Sequence, residues 1–477
     1  MKSLSHSRYG AGLVLGAFLL AGCSAGPDYV RPTVATAPAQ YKAAQGWVMA
    51  QPSDALERGD WWTLFNDPVL NDLAQRVNIS NQTLAAAEAA YRQARALTRE
   101  NRSSLFPSVD LSGSGNKSHG GGNITDRSSY QVAIGASWEV DLWGRIRRSV
   151  ESAAASAQAS AADLAAARLS AQGELAANYL NLREKDTEIA IVRQTVEAYD
   201  RTLTIAQNRY KAGIAARTDV FQAQSQLASA RSELAGLTRD RATYENAIAV
   251  LVGEPASSFS IAPAQWTSIV PQIPISVPST ILQRRPDIAS AERTVAAANA
   301  QIGVEQAAFF PSLSLSGSVG QSASALGDLF SSSATLWSLG ASVLETIFDA
   351  GARSARVAQA RASFDQAVAN YRQTVLSAFE DVENQLTATR VLEEQQALLQ
   401  QASAAADQAE QSILNQYRAG QVNYTEVVTA QVTALNARRQ LLQTEVARQT
   451  TAVALVQSLG GGWSATPENL APDTITK

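Results

Sequence analysis

The chain has 477 residues, a formal net charge of −4, 45% hydrophobic residues and only 6% aromatic ones. That length exceeds one ordinary domain, yet so Ala-, Gln- and Ser-rich a composition suits long slender helices better than a large globular core. No basic face points to nucleic acid, and two His, two Met and one Cys leave little from which to build a soft-metal site.

At the N-terminus, "MKSLSHSRYGAGLVLGAFLLAGC" places Lys2 and Arg8 before an apolar run from Ala11 to Leu20. That run is too short and too early for a membrane-spanning helix, and residues 1–22 read as a signal peptide. Leu20-Ala21-Gly22-Cys23 closes it and resembles a bacterial lipobox. The resemblance implies cleavage before Cys23 and a lipid anchor there, an N-acyl group plus S-diacylglycerol. Ser24 rather than Asp after the Cys implies the outer membrane. A plain signal peptide with an incidental Cys is the alternative. Residues 23–60 then form a proline-bearing leader, extended and laid over the body.

Proline maps the rest. None occurs between Pro107 and Pro255 or between Pro311 and Pro467, and each of these stretches carries a helical run that ends on Gly (Gly253, then Gly460). Glycine there fits a left-handed helix C-cap. A shift of 207 aligns "NRYKAGIAARTDVFQAQ" at Asn208 with "NQYRAGQVNYTEVVTAQ" at Asn415, and a shift of 204 aligns "LFPSVDLSGSG" at Leu105 with "FFPSLSLSGSV" at Phe309. The chain is therefore an internal two-fold tandem repeat: 61–254, a Pro-rich connector over 255–279, then 280–462, with a tail over 463–477.

Each repeat opens with a helix of about thirty residues, started at Asp67-Pro68 or at Arg285-Pro286-Asp287. After "FPS" the period falls to two. Tyr130, Val132, Ile134, Ala136, Trp138, Val140 and Leu142 share one face, as do Leu313, Leu315 and Val319. Alternation over about ten residues is the pattern of a membrane barrel strand, although a soluble hairpin with one buried face fits the same period. Two hairpins follow, within 107–142 and 311–345. Four strands cannot close a barrel, and an open edge in lipid is forbidden, so either the strands are not in the membrane or several chains share one barrel. Three chains would supply twelve strands.

Turns at Gly144 and Gly351 lead into helices of about sixty-five residues, reaching Tyr210 and Tyr417, with return helices behind them. The repeated phrase thus marks the tips of two long helical hairpins, near 210–218 and 417–425. Gly213 and Gly420 permit the turn, and Thr218 or Thr425 starts the way back. His6 falls in the signal peptide and His119 in a glycine-rich loop, so no Ser-His-Asp or metal cluster assembles, and the chain reads as no enzyme.

Together with the lipobox, "GPDYVRP", "WWTLFNDPVLNDL", "QRRPDIASAE", "AFFPSLSLSGS" and "LGGGW" carry a resemblance to the TolC-like outer-membrane factor family, in its NodT-type lipoprotein branch. It spans nearly the whole mature chain. It implies an α+β membrane protein: a homotrimer with a shared 12-stranded β-barrel in the outer membrane, continued as a long α-helical barrel across the periplasm. It also implies a periplasmic adaptor protein and an inner-membrane resistance–nodulation–division transporter as partners, no cofactor, and passive exit of small molecules gated at the hairpin tips. By the same resemblance Asp219 and Tyr417 hold the closed state, Thr218 has lost its family partner because Val422 stands where Arg is usual, and Glu426 and Thr429 line the constriction. Asp219 and Glu426 suit helix N-termini equally well. Tyr210, Lys211, Gly213, Arg418 and Gly420, with Ala212 and Ala419, are the expected adaptor contacts. Type I protein secretion and a purely structural coiled-coil lipoprotein are the alternatives, and Met49 as the sole Met beyond the signal peptide argues against a copper or silver relay.

Overall fold

The computed structural model describes residues 24–34, 41–42, 60–119, 127–264, 266, 268–271, 273 and 284–463. The signal peptide, Cys23 and nearly all of the C-terminal tail lie outside them. A 3-10 turn, Trp61–Phe65, leads to α1 (Pro68–Ser80), where Asp67 Oδ1 accepts from the amides of Val69 and Leu70 at 2.9 and 3.1 Å. The single opening helix expected for this repeat is instead broken at Asn81. Its backbone is extended, and its side chain accepts from Leu84 N to cap α2 (Gln82–Ser103). Its amide also donates to Leu251 O at 2.8 Å, so the break is pinned by the far end of the repeat.

Strands β1 (Ser108–Ser118) and β2 (Arg127–Val140) follow, then α3 (Arg145–Lys211) and α4 (Arg217–Leu251). The second repeat gives α5 (Pro286–Ala307), β3 (Ser312–Ala323), β4 (Thr335–Leu344), α6 (Ala352–Arg418) and α7 (Tyr424–Ser458). Helices α3 and α6 each run 67 residues, about 100 Å at 1.5 Å per residue. Both return helices end alike: Glu254 N donates to Ala249 O and Gly461 N to Val456 O, each at 2.9 Å across a left-handed glycine, Gly253 or Gly460. These are Schellman caps.

In a folded protein most helical stability comes from packing, and these helices pack against one another in successive clusters. The main core joins both repeats: Trp61, Trp62 and Phe65 pack with Leu70 and Val77 of α1, Tyr179 of α3, Ile288 of α5, Tyr371 of α6 and Val453 of α7. Smaller clusters continue down the hairpins, first Ile189, Val192, Leu237 and Leu435, then Tyr199, Leu227 and Ala230. Between clusters small residues allow close approach; a Cβ on Gly173 of α3 would overlap the Gln457 amide of α7. Ion pairs recur at the repeat spacing, Arg231 with Asp200 at 3.3 Å and Arg438 with Asp407 at 2.8 Å.

One charged network is largely buried. Asp186 accepts from Arg183 Nη1 at 3.0 Å and from Arg241 Nε at 2.6 Å, and its side chain is 3% exposed. The same two guanidinium groups donate to the carbonyls of Ala262 and Ile261, while Glu245 accepts from Ile261 N. The start of the connector is thereby fastened to the α3–α4 hairpin.

Residues 24–34 of the leader are extended along the helices. Ala25 N donates to Trp143 O, Asn299 Nδ2 to Pro27 O, Arg31 Nε to Tyr371 Oη and Arg372 Nε to Thr33 O. Arg148 holds Ala25 O and Asp28. Gly26 (φ 92°) lies directly on Gly303 of α5. Gly303→Ala tests this seat. Alanine in a helix is favoured over glycine by about 1 kcal/mol, but its Cβ would stand 2.8 Å from Ala25 O and 2.9 Å from Arg148 Cγ. A backbone carbonyl yields less than a side chain, so the expected result is a lifted leader and faster chymotryptic cleavage after Tyr29. Unchanged cleavage would show that the crossing can relax.

Candidate functional site: an open sheet and two hairpin tips

The four strands form one antiparallel sheet in the order β1-β2-β3-β4, so the hairpins of the two repeats are joined through β2 and β3. The register aligns Leu111 with Ile134, Ile134 with Val319, and Val319 with Trp337. Directly paired residues share a face. One face therefore carries Val109, Leu111, Val132, Ile134, Trp138, Leu313, Leu315, Val319, Trp337, Leu339 and Val343. The other carries Asp110, Ser112, Ser114, Gln131, Ser314, Ser316, Ser318 and Ser338. Among the described residues nothing covers most of the apolar face: Leu111 is 74%, Trp337 78% and Leu339 84% exposed. Strands β1 and β4 each leave one edge unpaired within the sheet. Among the described residues no helix is long and apolar enough to cross a membrane.

Where sheet meets helix, aromatic rings gather. Trp138 Nε1 donates to Leu105 O, Trp143 Nε1 donates to Pro311 O, and Trp143 stacks on Phe310 with centroids 4.8 Å apart. Asp141 accepts from the amides of Ile146 and Arg147, and Asp349 from those of Gly351 and Arg353, so a carboxylate caps each long helix at its positive end.

At the opposite end both tips turn by the same device. Ile214 N donates to Arg209 O and Gln421 N to Gln416 O, each at 2.9 Å, across Gly213 (φ 73°) and Gly420 (φ 77°). The return helices start differently from expectation. Thr218 and Thr425 lie inside the first turn; α4 follows Ala216 without a side-chain cap, whereas Asn423 caps α7. Asn423 Oδ1 accepts from Glu426 N, and its Nδ2 donates to Glu426 Oε1 at 3.0 Å, a reciprocal capping pair that a short polar residue and an acid three positions on are built to make. Thr429 Oγ1 donates back to Thr425 O.

The two tips meet in a small core of Ala206, Val220 and Ala223 from one hairpin and Tyr417, Tyr424 and Val427 from the other. The Tyr417 and Tyr424 rings lie 5.5 Å apart. Burial raises the Tyr417 phenol above its ordinary pKa, Arg209 opposes the shift and Asp219 adds to it. Burial likewise raises Tyr424. The Tyr417 hydroxyl is buried without a hydrogen-bond partner, so no Tyr417–Asp219 hydrogen bond forms within this chain.

The model of the family described as outer membrane efflux protein matches residues 73–254 and 277–461. The chain belongs to that family. It is 32% identical over 487 residues to the pyoverdine export outer membrane protein OpmQ of Pseudomonas aeruginosa, with 99% of both chains covered. It is 31% identical over 468 residues to the probable efflux pump outer membrane protein TtgC of Pseudomonas putida, covering 94% of this chain and 95% of that one. Its fold matches the open-state MtrE outer membrane channel of Neisseria gonorrhoeae with a TM-score of 0.83, at 29% identity over 92% of this chain and 98% of that one.

As an outer membrane efflux protein, the chain places its exposed apolar sheet face in the outer membrane and its helices in the periplasm. Cys23 lies outside the described residues; Ser24, which follows it, packs on Gly144 at the foot of the sheet. Tyr210, Lys211, Gly213, Arg418 and Gly420 are exposed at the tips, Thr218 and Thr429 are exposed, and Asp219 is half-buried. Two groups escaped the sequence reading. Arg209 reaches from the first tip to the second, and the repeat offers its signal, because the 207-residue shift sets neutral Gln416 against it. The Asp186 network also had a signal: Arg183, Asp186 and Arg241 fall on Arg390, Glu393 and Arg448, and Arg448 does approach Glu393 at 3.5 Å.

Proposed function

We propose that three copies pool their sheets into a 12-stranded barrel, and that this trimer is the exit duct of a tripartite pump. A periplasmic adaptor and an inner-membrane resistance–nodulation–division transporter complete the system, and the transporter supplies the energy and selects the cargo. Small organic molecules are the proposed cargo. The duct itself performs no covalent chemistry. Acyl chains on Cys23, each methylene contributing about 0.8 kcal/mol on burial, anchor the start of the mature chain beside the barrel. Exposed residues at the tips, Tyr210, Lys211, Gly213, Arg418 and Gly420, receive the adaptor. The contact between the tips, with Tyr417, Asp219, Thr218, Glu426 and Thr429 around it, is the gate, a two-state element that a bound partner biases.

One observation supports this most strongly: a four-stranded sheet with an uncovered apolar face and two unpaired edges cannot stand alone in hydrocarbon. The measurement is the mass of the detergent-purified protein together with conductance in planar bilayers. A trimer that conducts is expected. A monomer, or a silent trimer, would rule the duct out.

A further inference from the structure

The tandem repeat makes the two tips comparable residue by residue, and they differ where they touch. Arg209, in the last turn of α3, occupies the place that Gln416 holds in α6. Its guanidinium leaves its own hairpin. Nη1 donates to Tyr417 O at 2.5 Å, and Cζ lies 4.7 Å from the centroid of the Tyr417 ring. Tyr417 O also accepts from Gly420 N, so it belongs to the cap that ends α6.

Electrostatics gives this contact its meaning. Helices α3 and α6 both run from the sheet to the tips, so the negative ends of two long helix dipoles lie side by side. Neighbouring ends of like sign repel; the last turns carry Arg209, Lys211 and Arg418 as cations, and Arg209, lying between the two ends, attracts both. Arg209 is in the last turn of one helix and bonded to a terminal carbonyl of the other. Its stacking on Tyr417 adds a cation–π attraction that strengthens as water is excluded. Its Nε is buried without a partner, as is the Tyr417 hydroxyl. A guanidinium that gives up hydration on one nitrogen is held there by its other contacts.

We infer that Arg209 is the latch of the gate: it fastens the first hairpin of a chain to the second through the Tyr417 ring and carbonyl. The Tyr417 hydroxyl takes no part. The inference rests on the reading of the tips as a gate, and it adds the residue that sets the closed state. Arg209 acts here as a positioning residue, since nothing places it in contact with cargo.

The test uses the full-length protein, in planar bilayers and in cells lacking another such channel, where entry of a large polar antibiotic reports leakage. Arg209→Gln installs the residue of the second repeat. It should raise the open-to-closed ratio by roughly tenfold, about 1.4 kcal/mol, with the oligomer still heat-resistant in gels. Arg209→Lys keeps the charge and should fall much nearer the parent, and Tyr417→Phe, which keeps ring and carbonyl, should open the channel far less than Arg209→Gln. Tyr417→Ala removes the core of the tip contact and should open the channel whatever Arg209 does. If Tyr417→Ala opens it and Arg209→Gln does not, the latch is overturned and the gate stands. If neither opens it, the gate reading fails and takes the latch with it. Equal effects of Lys and Gln, or opening by Tyr417→Phe as large as that by Arg209→Gln, would each overturn the latch. Should Arg209→Gln fail to assemble, the Lys and Phe variants carry the test.

Discussion

Asp186→Ala is expected to lower the stability of the helical body by about 3–5 kcal/mol. The residue faces two guanidinium groups, Arg183 at 3.0 Å and Arg241 at 2.6 Å, whose side chains are only 4% and 13% exposed. Without the carboxylate, Arg183 keeps only the Tyr179 hydroxyl and the Ala262 carbonyl, and Arg241 keeps Glu245 at 3.2 Å and the Ile261 carbonyl, so a buried guanidinium loses its charged partner. Leaving a buried charge unpaired costs far more than the intact pair contributes. The connector at Ile261 and Ala262 should loosen as well, because the same groups hold it. Glu393→Ala is the matched control: the repeat places it like Asp186, but its side chain is 70% exposed, and its loss should cost about 1 kcal/mol or less. Urea midpoints of the detergent-solubilised protein would separate the two. Equal shifts would mean that burial adds nothing to the Asp186 pairs.

The second large effect is expected at Gly460. Its φ is 94°, where an L side chain costs about 1–2 kcal/mol. A Cβ there would also overlap the carbonyl of Arg284, at the entrance to α5. Overpacking against backbone adds about 1–3 kcal/mol. Gly460→Ala should therefore destabilise by about 2–5 kcal/mol. Gly213→Ala provides the comparison, since φ is 73° but nothing lies within 4 Å of the added methyl. That variant should lose only the left-handed term. Thermal midpoints of the two variants read the difference, and a Gly460→Ala loss no larger than that of Gly213→Ala would sink the close-approach account.

Strand and helix positions were legible because each leaves a period in the sequence. Val109 to Leu111 and Leu313 to Leu315 alternate, while the Ala-rich runs behind Gly144 and Gly351 do not. The pairing of β2 with β3 left no such trace. It joins residues such as Ile134 and Val319 from different repeats, and alternation says nothing about which edge meets which. Asn81 was hidden for a related reason, since the helical pattern continues through it and its cap on Leu84 is pinned by a bond to distant Leu251 O. At the tips, glycine marked the turns, because a φ near 75° demands it. Thr218 and Thr425 misled as helix starts: Asn423 was the better cap, and Ala216 shows that tertiary contact can begin a helix without one. Arg209 differs from Gln416 at the repeat-related position, but its partner is a main-chain carbonyl over two hundred residues away, so that difference did not say what it touches.

The stapled leader fixes an order of events. Pro27 bonds to a residue 272 positions on, and Arg31 to one 340 positions on. Those partners emerge from the translocation machinery long after the leader does. The earliest segment to reach the periplasm must therefore wait, unfastened, until most of the polypeptide has arrived. Anything that tethers residue 23 to a membrane in that interval would keep the waiting end close to its eventual berth.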